Sequence, residues 1–300
     1  MPCLQRGIEF TRIEKSLDFL ESKCYNFQYM ENCAFVDIFT TQNDLYGSHQ
    51  CPIQFCLEIF TNSEIYDDVF YSPKRRVMLN LIPDERIMMP GFVTSGISPT
   101  SVSSSDYNGF ELKVGLERIY HILKSISDKG LYIIGYNHVN YDLRILNEHF
   151  VRILGDAPIV FDKKLMLDVM RMSERLVSIT ETGSYSMESM FAYLFGDIRR
   201  LSNIRLNKTT AAELRLTKMM FREIVKRVFQ EKPELHSISE WTNLPLDASV
   251  MRFGKYKGLP LEKVFELDQK YLNWIRGNKD MKLSNPELVE AVERIFSEST

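Results

Sequence analysis

Little in this sequence marks a redox, zinc or membrane protein. Only five cysteines occur in 300 residues (Cys3, Cys24, Cys33, Cys51, Cys56), and no two form a Cys-x-x-Cys pair. None of the five histidines stands at zinc-like spacing beside them, so the thiols read as free and mostly buried. No apolar run reaches the eighteen or so residues of a membrane span, which leaves no membrane partner to expect. The opening stretch MPCLQRGIEFTRIEKSLDFLESK is too charged and too broken for a signal peptide, so the expected location is cytoplasmic. A strong positive balance is missing too: the net charge of -3 argues against a generic polyanion binder.

Core-forming residues are plentiful, with 44% hydrophobic and 12% aromatic content. One large or two modest domains are expected. Residues 1–32 read as one or two short amphipathic helices. From 33 to 72, the runs AFVDIF, IQFCLEIF and VFYSP, separated by turn-rich segments, predict an antiparallel meander. A Gly-, Pro- and Ser-rich loop spans 90–109, followed by a helical pattern that stops at Gly130 and a continuous apolar strand over 131–136. DLRILNEHFVRIL reads as helical until Gly155, and SMESMFAYLFG and TTAAELRLTKMMFREIVKRVFQ as two more helices. The stretch 231–249, with two prolines and little periodicity, reads as a linker, and 250–300 as a small basic unit with two helices. The resulting fold class is α/β, a mixed sheet flanked by helices with a small α-rich carboxy-terminal module.

This order places Asp37 on the first strand, Asp142 just past the fourth, and Glu213 on the last helix of the larger domain. Acids from distant segments around one point suit hard divalent cations. Charge is also uneven: between Arg199 and Lys232 ten Lys or Arg face three Glu. A nucleic-acid partner would therefore be held on one face.

Several motifs in register resemble the exonuclease I branch of the DnaQ-like (DEDD) 3'-5' exonucleases. FVDIFT is similar to that family's Asp-x-Glu-Thr motif, CPIQFCLEI to its Pro-x-Gln-Phe strand, and MMPGFVTSGISPTSV to its Thr-Gly-Ile-x-Pro loop. GYNHVNYD resembles the second acidic motif and LMLDVMR the Leu-Asp-x-x-Arg segment. The resemblance spans about residues 34 to 230 and implies a ribonuclease-H-like exonuclease domain over 33–230. It carries metal-binding roles onto Asp37 and Asp142, but the bridging Glu is Phe39. Aligned on Thr217, KTTAAELRLT puts Glu213 at the third motif's aspartate and Lys208 at its histidine.

These departures imply no bound cofactor, or weakly bound Mg²⁺ or Mn²⁺. A protonated Lys208 repels cations and accepts no proton from water. Lys208 is expected to lie near Asp37 and Asp142 and partly to replace the missing ions. MRFGKYKGLPLEKVFELDQKYLNWI further resembles the module at the carboxy terminus of exodeoxyribonuclease X. In that module Gly254 and Gly258 would permit tight turns, Lys255 and Lys257 would meet phosphate, and Tyr256 would stack a base. Together with Arg215, Lys218 and Arg222 these are the candidate nucleic-acid contacts. The expected function is holding RNA, a ribonucleoprotein or single-stranded DNA without efficient cleavage. The alternatives are an active metal-dependent 3'-5' exonuclease and a protein-binding adaptor.

Overall fold

The structure is a computed structural model that describes residues 32–40, 51–71, 73, 75–82, 109–205 and 209–298. The helices expected before residue 32, nearly all of the 90–109 loop, and Lys208 lie outside the described residues.

Six strands form one mixed sheet: β1 (Asn32–Thr40), β2 (Pro52–Thr61), β3 (Arg76–Ile82), β4 (Phe110–Glu111), β5 (Tyr132–Gly135) and β6 (Met166–Asp168). Their spatial order is β4-β3-β2-β1-β5-β6. β1 pairs antiparallel with β2 and parallel with β5; β5 and β6 are parallel. This is the mixed sheet flanked by helices that the sequence led us to expect, with β1 in the interior. VFYSP is not one of its strands: Asp68–Tyr71 makes a short 3-10 turn, and the third strand begins at Arg76. The short β4 adds a strand that the sequence had not shown, so Asp142 follows the fifth strand rather than the fourth.

Helices cover both faces, which is why β1, β2 and β5 read as near-continuous apolar runs. Side chains alternate along β1. Ala34, Val36 and Ile38 enter a core shared with α1 (Leu112–Asp128) and α2 (Asp142–His149), whereas Cys33 and Phe35 enter the opposite core. That second core is built with α3 (Val169–Leu176), α5 (Met187–Phe195) and α7 (Thr210–Val228). Between them run α4 (Ile179–Thr182) and α6 (Ile198–Arg205). Strand periodicity therefore places Asp37 and Phe39 on the face that meets α7.

The segment expected to be a linker instead contains α8 (Leu235–Asn243), whose Leu235 and Ile238 are buried in the core beside α7. Proline content concealed a helix that sets Leu235, Ile238 and Trp241 at i, i+3 and i+6 against the core. The carboxy-terminal unit holds four helices rather than two, α9 (Leu261–Leu267), α10 (Gln269–Gly277), α11 (Lys279–Ser284) and α12 (Pro286–Glu298), around a separate core that includes Met251, Val264 and Leu272. Ion pairs Arg171–Glu287 (2.6 Å) and Arg252–Glu174 (3.7 Å) join it to α3. Among the described residues no helix is long and apolar enough to cross a membrane.

Candidate active site and nucleic-acid interface

Asp37 and Asp142 meet where β1 passes the amino end of α2. The Ile38 amide donates to Asp142 Oδ1 at 3.3 Å, which ties the helix to the strand. The turn between β5 and α2 is held by Asp168, whose Oδ1 accepts from the amides of Asn137 and Met170, both at 2.9 Å. Gly135 is required there: a Cβ would collide with the His138 side chain and approach the Val36 carbonyl oxygen to 2.9 Å. Gln54 sets the third element. Its Oε1 accepts from the Thr210 amide at 2.8 Å and the Thr210 hydroxyl at 3.0 Å, anchoring the start of α7 on β2. Glu213 stands one turn further along.

Burial raises the Asp37 carboxyl well above the usual range, and the charges of Asp142 and Glu213 add to the shift while Arg205 opposes it. Asp37 Oδ2 is buried without a hydrogen-bond partner. Burial likewise raises Asp142, against the pull of His138 and the Ile38 amide. Two carboxyls enclosed this way favour holding a proton at neutral pH over carrying two charges.

A cation does act on this cluster, and it is Arg205. Its guanidinium grips Glu213 with two bonds, Nε to Oε1 at 2.6 Å and Nη2 to Oε2 at 2.8 Å, and also pairs with Glu188. The two acceptors outweigh the cost of burial and keep the guanidinium charged. Lys208, the residue expected in this role, lies outside the described residues. Arg205 stood in the basic run, but nothing in its spacing distinguished it.

A two-ion centre does not fit these residues. Phe39 offers no oxygen on the strand face beside Asp37, both Glu213 oxygens are engaged by Arg205, and the Arg205 charge acts on Asp37 as well. Among the described residues no three His, Cys, Asp or Glu side chains are grouped so as to hold a metal ion.

The candidate nucleic-acid contacts divide sharply. Arg215 is exposed. Lys218 is not a surface contact: it is 1% exposed, donates to Glu58 at 2.5 Å and to the Phe70 carbonyl at 2.6 Å, and lies about 5 Å from the Phe60 and Phe70 ring centres. Lys218 therefore does not share the outward side of Arg215, because it turns toward Glu58 on β2. Arg222 is half-buried and donates to the Tyr66 carbonyl at 3.0 Å. On the module, Lys255 pairs with Asp268 at 2.6 Å, and the Tyr256 hydroxyl donates to the same Asp268 oxygen at 3.0 Å. The Tyr256 ring meets Tyr271 edge-on, so its face is partly committed. Lys257 is exposed, and Trp274, stacked on Tyr271, is 51% exposed. Nine Lys and Arg in residues 251–300 face eight Asp and Glu, so the module is close to neutral rather than basic.

Residues 251–280 match the family model of the exodeoxyribonuclease X-like C-terminal domain. Comparison with curated proteins returned no match. Among solved structures, the chain is similar to exonuclease I of E. coli in a zinc-bound complex with single-stranded DNA, at 17% identity and TM-score 0.48 over 66% of this chain and 41% of that one. It is also similar to E. coli exonuclease I in complex with a dA16 oligonucleotide, at 16% identity and TM-score 0.49 over 70% and 42%. The chain spans less than half the length of these neighbours.

Proposed function

We propose that this protein holds nucleic acid on an exonuclease-type fold without cleaving it efficiently. The observation that carries this reading is the two-bond grip of Arg205 on Glu213 beside Asp37, in a site whose remaining strand position is Phe39. Hydrolysis by two ions depends on every ligand of one small cluster, and losing one costs orders of magnitude. Holding a strand depends on phosphate neutralisation and stacking spread over many residues, so it survives such losses. The exposed cations of α6 and α7 support binding on that face, and the acidic remainder of the chain disfavours other polyanionic surfaces. A defined target such as structured RNA, a ribonucleoprotein or a single strand fits this balance.

End-labelled single-stranded DNA and RNA incubated with Mg²⁺ or Mn²⁺, beside an Asp142→Asn control, test the reading. Little shortening, equal in both proteins, is expected. Shortening abolished by Asp142→Asn would instead identify a working exonuclease. An affinity for oligonucleotides that is absent, or independent of salt, would leave a protein-binding adaptor as the surviving alternative.

A further inference from the structure

A cleft unrelated to the carboxylates opens on the outer side of α7. It is lined by Tyr71, Phe195, Arg200, Met219, Arg222 and Lys226, with Glu223 at its wall, and encloses about 350 Å³. That is the lower end of ligand-sized pockets, and about right for one nucleotide unit. Met219, Arg222, Glu223 and Lys226 follow one another at spacings of three and four, so they share a single face of the helix. Glu213 points away from that face. At about 1.5 Å of rise per residue, the cleft residues lie roughly 9 to 20 Å along α7 from Glu213.

The charge in the cleft is not balanced by its own wall. Glu223 accepts from Arg227 at 2.9 Å, which neutralises the one acid present. Arg200 and Lys226 are exposed, with Arg200 5.8 Å from the Phe195 ring centre. Arg222 is fixed in place by two backbone carbonyls at the end of the 3-10 turn Ser63–Tyr66, donating to Tyr66 at 3.0 Å and to Asp67 at 3.4 Å. Two of its five N–H groups are thereby used and the others remain. Its guanidinium also lies 5.7 Å from the ring centre of Tyr71, a residue 36% exposed. Three cations and two aromatic rings around a small concavity match a phosphodiester joined to a flat base.

We propose that this cleft seats one nucleotide of a single-stranded nucleic acid, with Arg200, Arg222 and Lys226 on the phosphate and Tyr71 against the base. The inference deepens the proposed function and rests on it. It gives the strand a holding point that owes nothing to the degenerate carboxylate cluster, so retention without cleavage has a physical basis on this chain.

Fluorescence anisotropy of labelled oligothymidylate and oligouridylate, titrated from about 50 to about 200 mM salt, tests it on the full chain. Single-stranded contacts each contribute about 0.7 to the salt slope, so Arg200→Ala with Lys226→Ala should lower the slope by about 1.4 and weaken binding about tenfold or more. Tyr71→Leu should weaken binding about fivefold or more and leave the slope unchanged, since stacking releases no counterions. A wild-type protein that binds tightly, with a slope that the double variant does not alter, would overturn the cleft and leave the general nucleic-acid reading standing. A wild-type protein with no salt-dependent binding would overturn both. Lys255→Ala with Lys257→Ala distinguishes the module's share.

Discussion

Replacing Lys218 by Met isolates one buried charge pair and one correction to the surface reading. Lys218 and Glu58 are 1% and 0% exposed, and their ion pair measures 2.5 Å. Burial lowers the Lys218 amine below its usual range, against the attraction of Glu58. Met preserves the stem between Phe60 and Phe70 but leaves Glu58 Oε2 and the Phe70 carbonyl without their donor. Breaking a buried pair from one side costs about 3–5 kcal/mol. Arg76 still holds Glu58 Oε1 at 2.6 Å, so the lower end, about 3 kcal/mol, is expected. At about 2–4 °C per kcal/mol, the melting temperature should fall by roughly 6–12 °C. Denaturant unfolding followed by far-ultraviolet circular dichroism measures the loss directly. Pairing Lys218→Met with Glu58→Gln should recover part of it, because the second change removes the unpaired charge. A single variant within about 1 kcal/mol of wild type would refute the burial argument. So would a variant of unchanged stability whose oligonucleotide binding loses salt dependence, since that is the behaviour of a phosphate contact.

Three other perturbations probe the site and the module. Phe39→Glu with Arg205→Ala places a carboxylate on the strand beside Asp37 and frees Glu213, so Mn²⁺ affinity measured by calorimetry should rise about tenfold or more; no gain would show that the aromatic ring and the guanidinium are not what bars the ion. Burial raises Glu174 to about 7 from 4.5, opposed chiefly by Arg252. The folded state therefore holds this proton more tightly than the unfolded one, and stability falls as pH rises from about 4.5 to about 7. Glu174→Gln should remove that contribution, roughly 3 kcal/mol at about 1.4 kcal/mol per pH unit, and a wild-type minus variant difference that stays flat across this window would contradict it. Gly254 has φ +73°, and a Cβ there would strike the Tyr271 hydroxyl. Gly254→Ala should destabilise the module by at least about 1–2 kcal/mol, seen as earlier proteolysis within 250–300, and unaltered resistance would refute the strain.

Much of the architecture was legible because it repeats locally. The alternation and run length of AFVDIF and IQFCLEIF gave central strands, and LYIIGY gave the buried β5. The i, i+2 rule placed Phe39 beside Asp37, and the order of segments anticipated the closeness of Asp37 and Asp142. VFYSP misled because a short apolar run suits a strand and a 3-10 turn alike. The helix at 235–243 was hidden by the prolines around it. The positioning role of Asp168 was not legible, since its bond to the Asn137 amide spans 31 residues and leaves no local signature.

By itself the sequence settled the raw material of the strands and set Phe39 two residues from Asp37 on one strand face, because both depend on residue type at a fixed local spacing. Only the tertiary structure decided which cations do what. Arg205 turns inward to Glu213, Lys218 is swallowed between two phenylalanines, and Arg200 and Lys226 stay outside, although all four belong to one basic run. Long charged side chains reach partners far along the chain, 160 residues away for Lys218 and Glu58. Their roles are therefore set by which way each helix faces the sheet, a quantity that packing fixes and local spacing does not.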